Sequence, residues 1–501
     1  MATFALEGVE SREVTVEVDV RRGLPAFAIV GLPDAAVRES RERVRAALLN
    51  SGLDFPQQRL TANLAPAYVR KAGPRFDLAL AVAVLAASRQ VPTEELGTYA
   101  ICGELSLSGA VRPVNGALSM ALGAKRAGYA RLFVPEENGA EAALVEGIEI
   151  LGVPDLARLV GVLKGDWLPG PPRAKRPGGE VVRGPDIADV RGQADGKRAL
   201  EIAAAGGHNL LMIGPPGAGK TFLARCLPGI LPPPTFHEAI EITQVQSVVG
   251  MSDGSLASHR PFRSPHHTIS ASGLVGGGAR PRPGEITLAH HGVLFLDELP
   301  EFSRDTLEAL RQPLEEGFVT ITRGQSTLTF PARAMLVAAC NACPCARPPA
   351  DCTCTTPDFA RYDRRVSGPL LDRLDLVCRL GPVPPVELVA EDGRTRQGSA
   401  AARARVCTAR ELQRERLAGT GRTSNAAMDS RLTRRLVPLE PSARRRLLEG
   451  HRVLGLTARA HDRVVRVART IADLEGRERV TAQDLDEALG YRVGPAARLA
   501  A

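Results

Sequence analysis

The sequence predicts an α/β fold followed by a helical C-terminal part. In residues 1–168, runs with strand-like alternation are interleaved with runs that have helical periodicity. Residues 183–385 form a second α/β stretch, and residues 386–501 place apolar side chains at i, i+3, i+4 and i+7. Residues 169–182 are rich in proline and glycine, which predicts an inter-domain linker. Three domains are therefore expected.

Each domain is built from specific runs. The N-terminal stretch predicts strands at 14–20, 26–30, 99–102 and 131–134, and helices at 34–49, 77–87, 116–127 and 140–145. The C-terminal stretch predicts helices at 442–454, 458–474 and 481–489. Thr481 followed by Asp484 is a weak form of the capping box, which predicts a helix start at this point.

Composition excludes several classes of protein. The 501 residues are 44% hydrophobic and 24% charged, so global disorder is excluded. Residues 78–87 are the longest apolar run, well short of the ~18 residues that a membrane helix needs. The first ten residues lack a secretory signal, and nine cysteines do not suggest a disulfide framework. We expect a cytoplasmic protein without a membrane partner.

The net charge of +8 is unevenly distributed. The chain has 58 arginines and only 6 lysines, which codon bias explains most simply. Residues 381–501 hold 23 arginines and 15 acidic residues, so they account for the whole excess. A basic C-terminal domain permits contact with nucleic acid but does not establish it.

A phosphate-binding loop follows the apolar run 210–213. It matches the pattern G-x-x-x-x-G-K-[ST] and comprises Gly214, Pro215, Pro216, Gly217, Ala218, Gly219, Lys220 and Thr221. The glycines let backbone N–H groups surround the phosphates, Lys220 neutralises their charge, and the Thr221 hydroxyl ligates Mg²⁺. With a strand before it and a helix after it, this motif predicts an ATP and Mg²⁺ site.

Two further polar positions follow predicted strands. Asp297 and Glu298 end the apolar run 292–296, where Asp297 would hold Mg²⁺ and Glu298 would activate the attacking water. Asn341 follows another apolar run, where its amide can position that water. The alternatives are a solvated turn for the two acids and an ordinary turn residue for Asn341.

Two insertions interrupt the expected core. Residues 318–321 and 327–330 are β-rich, and the turn between them contains glycine, which predicts a β-hairpin with Arg323 near its tip. Residues 248–278 are rich in glycine, serine and histidine. We expect these loops to contact DNA phosphates, with Arg323 as the leading residue, although a plain solvated hairpin is the alternative.

Five cysteines cluster between positions 340 and 354. Cys343, Cys345, Cys352 and Cys354 form two C-x-C pairs, which can complete a closed, structural Zn²⁺ site. Free thiols and a redox pair are the alternatives, because C-x-C departs from the usual C-x2-C spacing. The neighbouring histidines at 266–267 and 290–291 would point to opposite faces of a strand, so we do not expect them to chelate a metal.

Several runs together resemble a known family. They are RPFRSPHHT at 260–268, PGEITLAH at 283–290, FLDELPEF at 295–302 and SGPLLDR at 367–373. The sequence is similar to the ComM/YifB type of Mg-chelatase-like AAA+ ATPases over nearly its whole length. The resemblance implies a Lon-protease-like α/β domain, an AAA+ P-loop core with a pre-sensor-1 hairpin, and a helical lid.

The resemblance also assigns roles to residues. Residues 214–221 correspond to Walker A, Asp297 and Glu298 to Walker B, and Asn341 to sensor 1. Arg373 resembles the arginine finger that reaches the γ-phosphate of a neighbouring subunit, and Arg459 resembles the sensor-2 arginine of the lid; the alternative for both is a solvated surface residue. A finger acting in trans implies a closed ring, and the family suggests a homohexamer.

The N-terminal stretch resembles the Lon-protease domain at LSLSGAVRPVNG, residues 105–116. Lon-type proteases use a serine in a Gly-Pro-Ser motif and a lysine after the glycine pair. Here the Gly-Pro-Ser motif is replaced by Gly73-Pro74-Arg75, so an arginine stands at the position of the serine. The residues after Gly116 are Ala117, Leu118 and Ser119, and none of them is a lysine. Because nucleophilic catalysis needs an attacking group and a base, this domain is expected to be non-proteolytic.

Three functions share the ATPase core. The family resemblance and the hairpin favour a ring motor acting on DNA, such as a helicase or branch-migration factor in recombination or natural transformation. The alternatives are a chelatase-like subunit and a chaperone that remodels a protein partner. Glu298 and Arg373 favour true hydrolysis over nucleotide-dependent switching alone.

Overall fold

The computed structural model describes residues 1–172, 184–278, 281–323, 326–347, 351–384, 387 and 398–492. The chain divides into two compact units. The first unit contains Met1–Gly179, Phe236–Ser258 and Thr322–Phe330, and the second contains Glu180–Thr235, His259–Ile321 and Pro331–Ala501. Two segments from within the ATPase stretch of the sequence thus belong to the N-terminal unit.

The first unit is built on a seven-stranded mixed sheet in the order β3-β4-β2-β1-β5-β8-β9. Its strands β1 and β4 flank β2 in antiparallel pairs, and the remaining neighbours are parallel. The strands of this unit are β1 (Ala2–Glu7), β2 (Glu10–Arg21), β3 (Ala26–Val30), β4 (Arg59–Ala65), β5 (Tyr99–Ile101), β8 (Arg131–Pro135) and β9 (Glu149–Val153), with a separate pair β6 (Glu104–Leu105) and β7 (Val111–Arg112).

Helices cover both faces of this sheet. Successive side chains of β1 face opposite sides, so Phe4 and Ala5 belong to two separate apolar clusters. The helices are α1 (Ala35–Asn50), α2 (Asp77–Ala87), α3 (Ala117–Arg126), α4 (Gly139–Ala142), α5 (Leu156–Lys164) and α8 (Phe236–Val248). Helix α2 is buried along almost its whole length, which explains its continuous apolar sequence.

The second unit contains a five-stranded parallel sheet in the order β11-β14-β17-β10-β18. Its strands are β10 (Leu210–Ile213), β11 (Phe262–Arg263), β14 (Val293–Leu296), β17 (Met335–Cys340) and β18 (Leu376–Arg379). The first strand in the chain, β10, lies between the fourth and fifth. In parallel sheets, ligands bind beyond the carboxyl ends of the strands where the strand order reverses, and β10 and β17 adjoin that point here.

Helices surround this sheet and continue into the C-terminal part. They are α6 (Ala194–Gly206), α7 (Lys220–Ile230), α9 (Ala271–Val275), α10 (Glu285–Leu288), α11 (Arg304–Ala309), α12 (Arg311–Glu316), α13 (Thr356–Asp363), α14 (Gly368–Leu371), α15 (Ser399–Arg416), α16 (Ser430–Leu436), α17 (Pro441–Leu454), α18 (Ala458–Leu474) and α19 (Ala482–Gly490). One apolar cluster joins residues of α6 and α7 to residues of α15, α18 and α19. The helical C-terminal part and the P-loop region therefore share a core.

The fold class predicted from the sequence is confirmed. The predicted hairpin is present as β15 (Phe318–Arg323) and β16 (Ser326–Pro331), with short strands β12 (Gly276–Gly277) and β13 (Arg282–Pro283) nearby in the chain. The capping box at Thr481 is formed. The expectation that residues 248–278 are an insertion was wrong, because this segment contains β11, an edge strand of the core sheet. Most of the predicted linker, 173–182, lies outside the described residues.

Among the described residues, no helix is both long and apolar enough to span a membrane.

Candidate functional site

The P-loop joins β10 to α7. Its Gly217 and Gly219 have φ angles of +78° and +83°, which side chains other than glycine rarely adopt. Beyond the neighbouring residues, no heavy atom lies within 4 Å of a Cβ built at either position. The loop can therefore turn sharply and leave its N–H groups accessible at the start of α7, which begins with Lys220.

Lys220 is held among three oxygen atoms. Its Nζ donates to the carbonyl oxygens of Gly214 (2.7 Å) and Pro215 (2.9 Å) and to Oδ1 of Asn341 (3.0 Å). Burial lowers the pKa of Lys220, and the carboxylates of Asp297 and Glu298 oppose that effect. The sheet thus brings the predicted sensor amide directly to the phosphate-binding lysine. Tyr362 donates to the Asn341 carbonyl (3.0 Å) and supports the loop that carries this amide.

Thr221 and Asp297 converge in the way a magnesium site requires. The Thr221 hydroxyl donates to Oδ2 of Asp297 over 2.7 Å. Asp297 follows β14, while Thr221 is the second residue of α7, so both lie at the carboxyl edge of the sheet. A hydroxyl and a carboxylate are oxygen ligands of the kind Mg²⁺ takes beside nucleotide phosphates. These residues fit the ion, which would neutralise charge on the phosphates.

Glu298 has a partner that sequence reasoning did not identify. Its Oε2 lies 3.2 Å from Nδ1 of His267, and Glu298 itself adopts a left-handed backbone conformation with φ of +52°. His267 comes from the RPFRSPHHT run, whose histidines had no assigned role. This contact orients the carboxylate that would activate water. The signal in the sequence was the run itself, but only the fold brings it to Glu298.

The expectation that adjacent histidines point to opposite strand faces was wrong. Neither pair lies on a strand, and ring centroids are 4.1 Å apart for His266 and His267 and 4.0 Å apart for His290 and His291. Outside an extended strand the alternation of side chains does not apply, so neighbouring rings can lie side by side.

Gln193 is a second residue that the sequence did not reveal. Its Nε2 donates to the carbonyls of Ala218 in the P-loop (3.1 Å) and Gly381 after β18 (2.7 Å). It therefore links the loop to the edge of the sheet from the position before α6. No motif marks this glutamine.

Arg373 is engaged within its own chain. It forms an ion pair with Glu315 and donates to the carbonyls of Pro369 (2.7 Å) and Arg311 (3.2 Å). Its described contacts include no residue of the P-loop. A finger function in trans therefore requires Arg373 to leave Glu315 when a neighbouring subunit binds.

Arg459 is exposed in the first turn of α18. Arg463, one turn further, faces Asp375 at the start of β18 over 3.5 Å, and both side chains are largely buried. Burial raises the pKa of Asp375. The neighbouring His208, whose Nδ1 lies 3.6 Å from the carboxylate, and the charges of Arg466 and Arg463 outweigh that effect and bring the pKa to about 2. The helical C-terminal part is thus tied to the sheet through a buried charged network that includes Arg463.

The four predicted zinc ligands lie together. Sγ of Cys343 is 2.9 Å from Sγ of Cys345, 3.4 Å from that of Cys352 and 3.5 Å from that of Cys354. All four ligand atoms lie within 4.8 Å of one another. Tetrahedral thiolates bound to zinc at about 2.3 Å would be about 3.8 Å apart, so this set fits the ion. The cluster follows Asn341 in the chain by two residues.

Arg323 ends strand β15, and its side chain lies outside the described part of the structure. The hairpin that carries it is formed.

The resemblance to Lon proteases predicts a dyad position at Arg75 and another among the residues after Gly116, which include Ser119. Arg75 donates to the carbonyl of Asn115 (3.4 Å), and burial lowers its pKa to about 10. The Ser119 hydroxyl is buried and donates to the carbonyl of Val9 (2.6 Å). A guanidinium and a satisfied hydroxyl supply neither a nucleophile nor a base.

The fold and this site define a P-loop nucleoside triphosphatase of the AAA+ type. Lys220, Thr221, Asp297, Glu298 and Asn341, which come from three separate parts of the sequence, meet at one edge of the parallel sheet. In such a site the lysine binds phosphate, the threonine and aspartate hold Mg²⁺, and the glutamate orients the attacking water.

Comparisons with known proteins agree with this class. Family models described as "Magnesium chelatase, subunit ChlI", "Subunit ChlI of Mg-chelatase" and "Magnesium chelatase, subunit ChlI C-terminal" match residues 186–388, 16–138 and 396–492. The YifB protein of Salmonella typhimurium is 44% identical over 492 residues, which cover 98% of this chain and 96% of that protein. Competence protein ComM of Haemophilus influenzae is 42% identical over 494 residues, 97% of this chain and 95% of ComM.

A shorter match links the chain to Lon proteases. Lon protease 2 of Bacillus subtilis is 30% identical over 145 residues, which make up 27% of this chain and 26% of that protease. Together these matches show that the chain belongs to the ComM/YifB family of Mg-chelatase-like AAA+ ATPases.

Proposed function

We propose that the chain is an ATP-hydrolysing ring motor that acts on DNA, as a helicase or branch-migration factor in recombination or natural transformation. The observation that carries the proposal is the convergence of the predicted hydrolytic residues, in which Lys220 contacts Asn341 and Glu298 contacts His267. The similarity to a protein named as a competence protein supports DNA as the substrate. Such a motor would work in the cytoplasm, where ATP and DNA are both available.

The direct test is ATP-dependent strand movement on forked and four-way DNA. The wild-type chain should unwind or branch-migrate these substrates, and DNA should raise its ATP turnover. Lys220→Ala removes phosphate binding and Glu298→Gln removes activation of the water, so both variants should be inactive in strand movement. Absence of strand movement by the wild-type chain together with no stimulation by DNA would overturn the DNA proposal.

The hairpin β15–β16 is the proposed DNA contact, with Arg323 as its phosphate ligand. Arg323→Ala should weaken DNA binding and reduce the slope of log affinity against log salt by about one. Arg304→Ala is the matched control, because it removes an exposed arginine from α11, a different element of the chain. Equal affinities and equal salt slopes for the two variants would exclude this role for Arg323.

The motor is proposed to be a closed homohexamer. Arg373 would supply charge to the γ-phosphate of the next subunit, since none of its described contacts is with the P-loop of its own chain. Arg459 is proposed as the sensor-2 arginine because α18 packs against α6 of the ATPase core. Mass measurement in the presence of a non-hydrolysable ATP analogue tests the subunit number.

A second candidate function is the remodelling of a protein partner, as in a chelatase subunit or a chaperone. The three family models described by magnesium chelatase favour it. It shares the hydrolytic site but needs no DNA. ATP turnover that responds to a protein partner and is indifferent to every DNA structure would select this alternative.

The cysteine cluster is proposed to hold one structural Zn²⁺. Elemental analysis of protein purified without added metal should find about one zinc per chain. Cys345→Ser and Cys354→Ser should lose it, whereas Cys407→Ser, which changes a cysteine of α15 outside the cluster, should retain it. If the wild-type protein contains no zinc, the zinc proposal is wrong, and the four cysteines are free thiols or a redox pair.

A further inference from the structure

The segment Phe236–Ser258, here called the insert, lies in the chain between two parts of the ATPase site. It follows α7, the helix that begins with Lys220, and it precedes β11 and His267, which contacts Glu298. Yet the insert belongs to the same compact unit as the N-terminal domain. It begins with α8 and returns through a turn in which the N–H of Ala257 donates to the hydroxyl of Thr243 (2.9 Å).

Three contacts dock the end of the insert on the N-terminal domain. The N–H of Gly116 donates to the carbonyl of Ser247 (3.1 Å). Nε2 of Gln244 donates to the carbonyl of Val9 (2.7 Å). A Cβ built at Gly250 would lie 3.0 Å from Oδ1 of Asn115, so this glycine permits a close approach.

These contacts fall on the part of the domain that corresponds to a protease active site. Arg75 occupies the nucleophile position and donates to the Asn115 carbonyl, next to Gly116. Ser119, in the region where the base is missing, donates to the same Val9 carbonyl that accepts from Gln244. A working protease must leave this place open to a substrate chain. Here residues of the insert contact Val9, Asn115 and Gly116, which lie beside it.

The packing there is that of a permanent interface. Ser247 and Ser119 are buried, and Val245 of α8 is buried as well. Glu141 is buried beside the docking site, where its Oε1 accepts from the N–H of Leu118 (3.2 Å), and burial raises its pKa. The buried Ser119 hydroxyl and Glu141 carboxylate already have partners and hold one arrangement, since each broken contact leaves a desolvated group behind.

We infer that the former protease site of the N-terminal domain is the anchor for the insert, and that this docking couples the domain to ATP hydrolysis. The physical link is covalent: one end of the insert continues from the Walker A helix, and the other leads to the histidine that holds Glu298. A ligand that shifts the N-terminal domain therefore acts on both ends of the hydrolytic machinery. The inference depends on ATP hydrolysis but not on DNA as the substrate.

The first test compares hydrogen exchange of the full-length chain with ADP and with a non-hydrolysable ATP analogue. Amides of residues 236–250 should change their protection between the two states, by about tenfold, because α8 responds to the state of α7. Identical exchange of the insert in both nucleotide states would overturn the coupling.

The second test releases the docking without touching the nucleotide site. Gly250→Ala strains a residue with φ of +75° and brings a methyl group against Asn115. Gly165→Ala is the matched control, because its φ is +80° at the end of α5 but no atom lies within 4 Å of the added Cβ. Gln244→Ala removes the donor to Val9 with no backbone strain and guards against a folding defect in the glycine variant.

Exchange of 236–250 should rise by about tenfold in Gly250→Ala and Gln244→Ala relative to Gly165→Ala. Their DNA-free ATP turnover should differ at least threefold from the control, while ATP affinity stays the same. Turnover equal to that of Gly165→Ala in both variants would overturn the inference. Because the assay contains no DNA, a failure of the DNA proposal leaves this outcome unaffected.

Discussion

Each unit contains a glycine with a left-handed backbone conformation just before a helix, but the space around the two glycines differs. Gly219 in the second unit and Gly116 in the first both precede a helix with φ of +83°. Beyond the neighbouring residues, no atom lies within 4 Å of a Cβ built at Gly219, whereas one at Gly116 would lie 2.5 Å from Leu6. The N–H of Gly116 is already donated to Ser247. Equal local geometry therefore gives a ligand site only where the surrounding protein leaves the donors accessible.

The side chains around the two glycines also differ, because only those near Gly219 suit a nucleotide site. The residues after Gly219 are Lys220 and Thr221, and the fold adds Asp297, Glu298 and Asn341 around them. After Gly116, the fold brings Arg75 and a hydrogen-bonded Ser119, which cannot form a nucleophile and base pair. This difference supports the prediction that the N-terminal domain is non-proteolytic.

Among the predictions that test this comparison of the two units, the largest change in ATP turnover is expected for a substitution of Arg373. If the second unit is completed only by its neighbour, Arg373→Ala should lower ATP turnover by about 10³-fold. Mixing it with inactive Lys220→Ala should restore part of the activity, because each variant supplies what the other lacks. Turnover measured over a range of mixing ratios checks this.

Glu315→Ala is the companion variant for Arg373. It removes the ion pair with Arg373 but keeps the guanidinium, and it should not reproduce the loss. Mixtures that remain inactive at every ratio would contradict a finger acting in trans.

A second prediction concerns the buried network that ties the helical C-terminal part to the sheet. Asp375→Asn removes the carboxylate that faces His208 and Arg463, so the free energy of unfolding should fall by about 3 kcal/mol. Chemical denaturation of both proteins measures this difference. Asp372→Asn, an exposed position nearby, is the control and should change little.

The difference in the free energy of unfolding between wild type and Asp375→Asn should become smaller as the pH falls. The pKa of Asp375 in the folded protein, about 2, is below its ordinary value of 3.8. Its contribution is therefore complete above pH 3.8 and is lost as the pH falls toward 2. Denaturation at pH 6 and pH 3 should show the gap between wild type and Asp375→Asn narrowing. A gap that widens in acid would show that the carboxylate is not stabilised by its cationic neighbours.

The smallest expected effect is at His267. His267→Ala should lower kcat about tenfold with little change in KM for ATP, because the histidine acts by orienting the Glu298 carboxylate. His267→Gln should recover part of the loss, since an amide can also donate to the carboxylate. His266→Ala changes the neighbouring ring, which contacts Thr268, and serves as control. A purely structural role would instead reduce stability and leave kcat of the folded fraction unchanged.

Local sequence signals were sufficient for many elements. The predicted helix at 77–87 and strand at 26–30 have the observed bounds, since a continuous apolar run and a short β-rich run leave few alternatives. Strand β4 was not predicted from the sequence. Helix α15 lies in the region 386–501, which was predicted to be helical, but its bounds were not predicted. Helix α15 carries many arginines around a narrow apolar face, and it is stabilised by packing against α6 and α7 rather than by a strong pattern of its own.

The sequence by itself determined the chemical inventory of the ATP site. A glycine-rich loop, two adjacent acids and an amide after apolar strands are local patterns, because each follows directly from the strand it terminates. It also predicted that the N-terminal domain lacks the serine and the lysine of a Lon-type dyad at the matching positions.

Only the tertiary structure decided which distant residues act together. His267 reaches Glu298, Gln193 braces the P-loop, and the insert docks beside Arg75 and Ser119. No local sequence pattern predicts these contacts, since the residues are far apart in the chain. They meet only when the strands form the sheet and the helices pack on it. The sheet order places β10 beside β17 and β18, and that order depends on the whole fold rather than on any one segment.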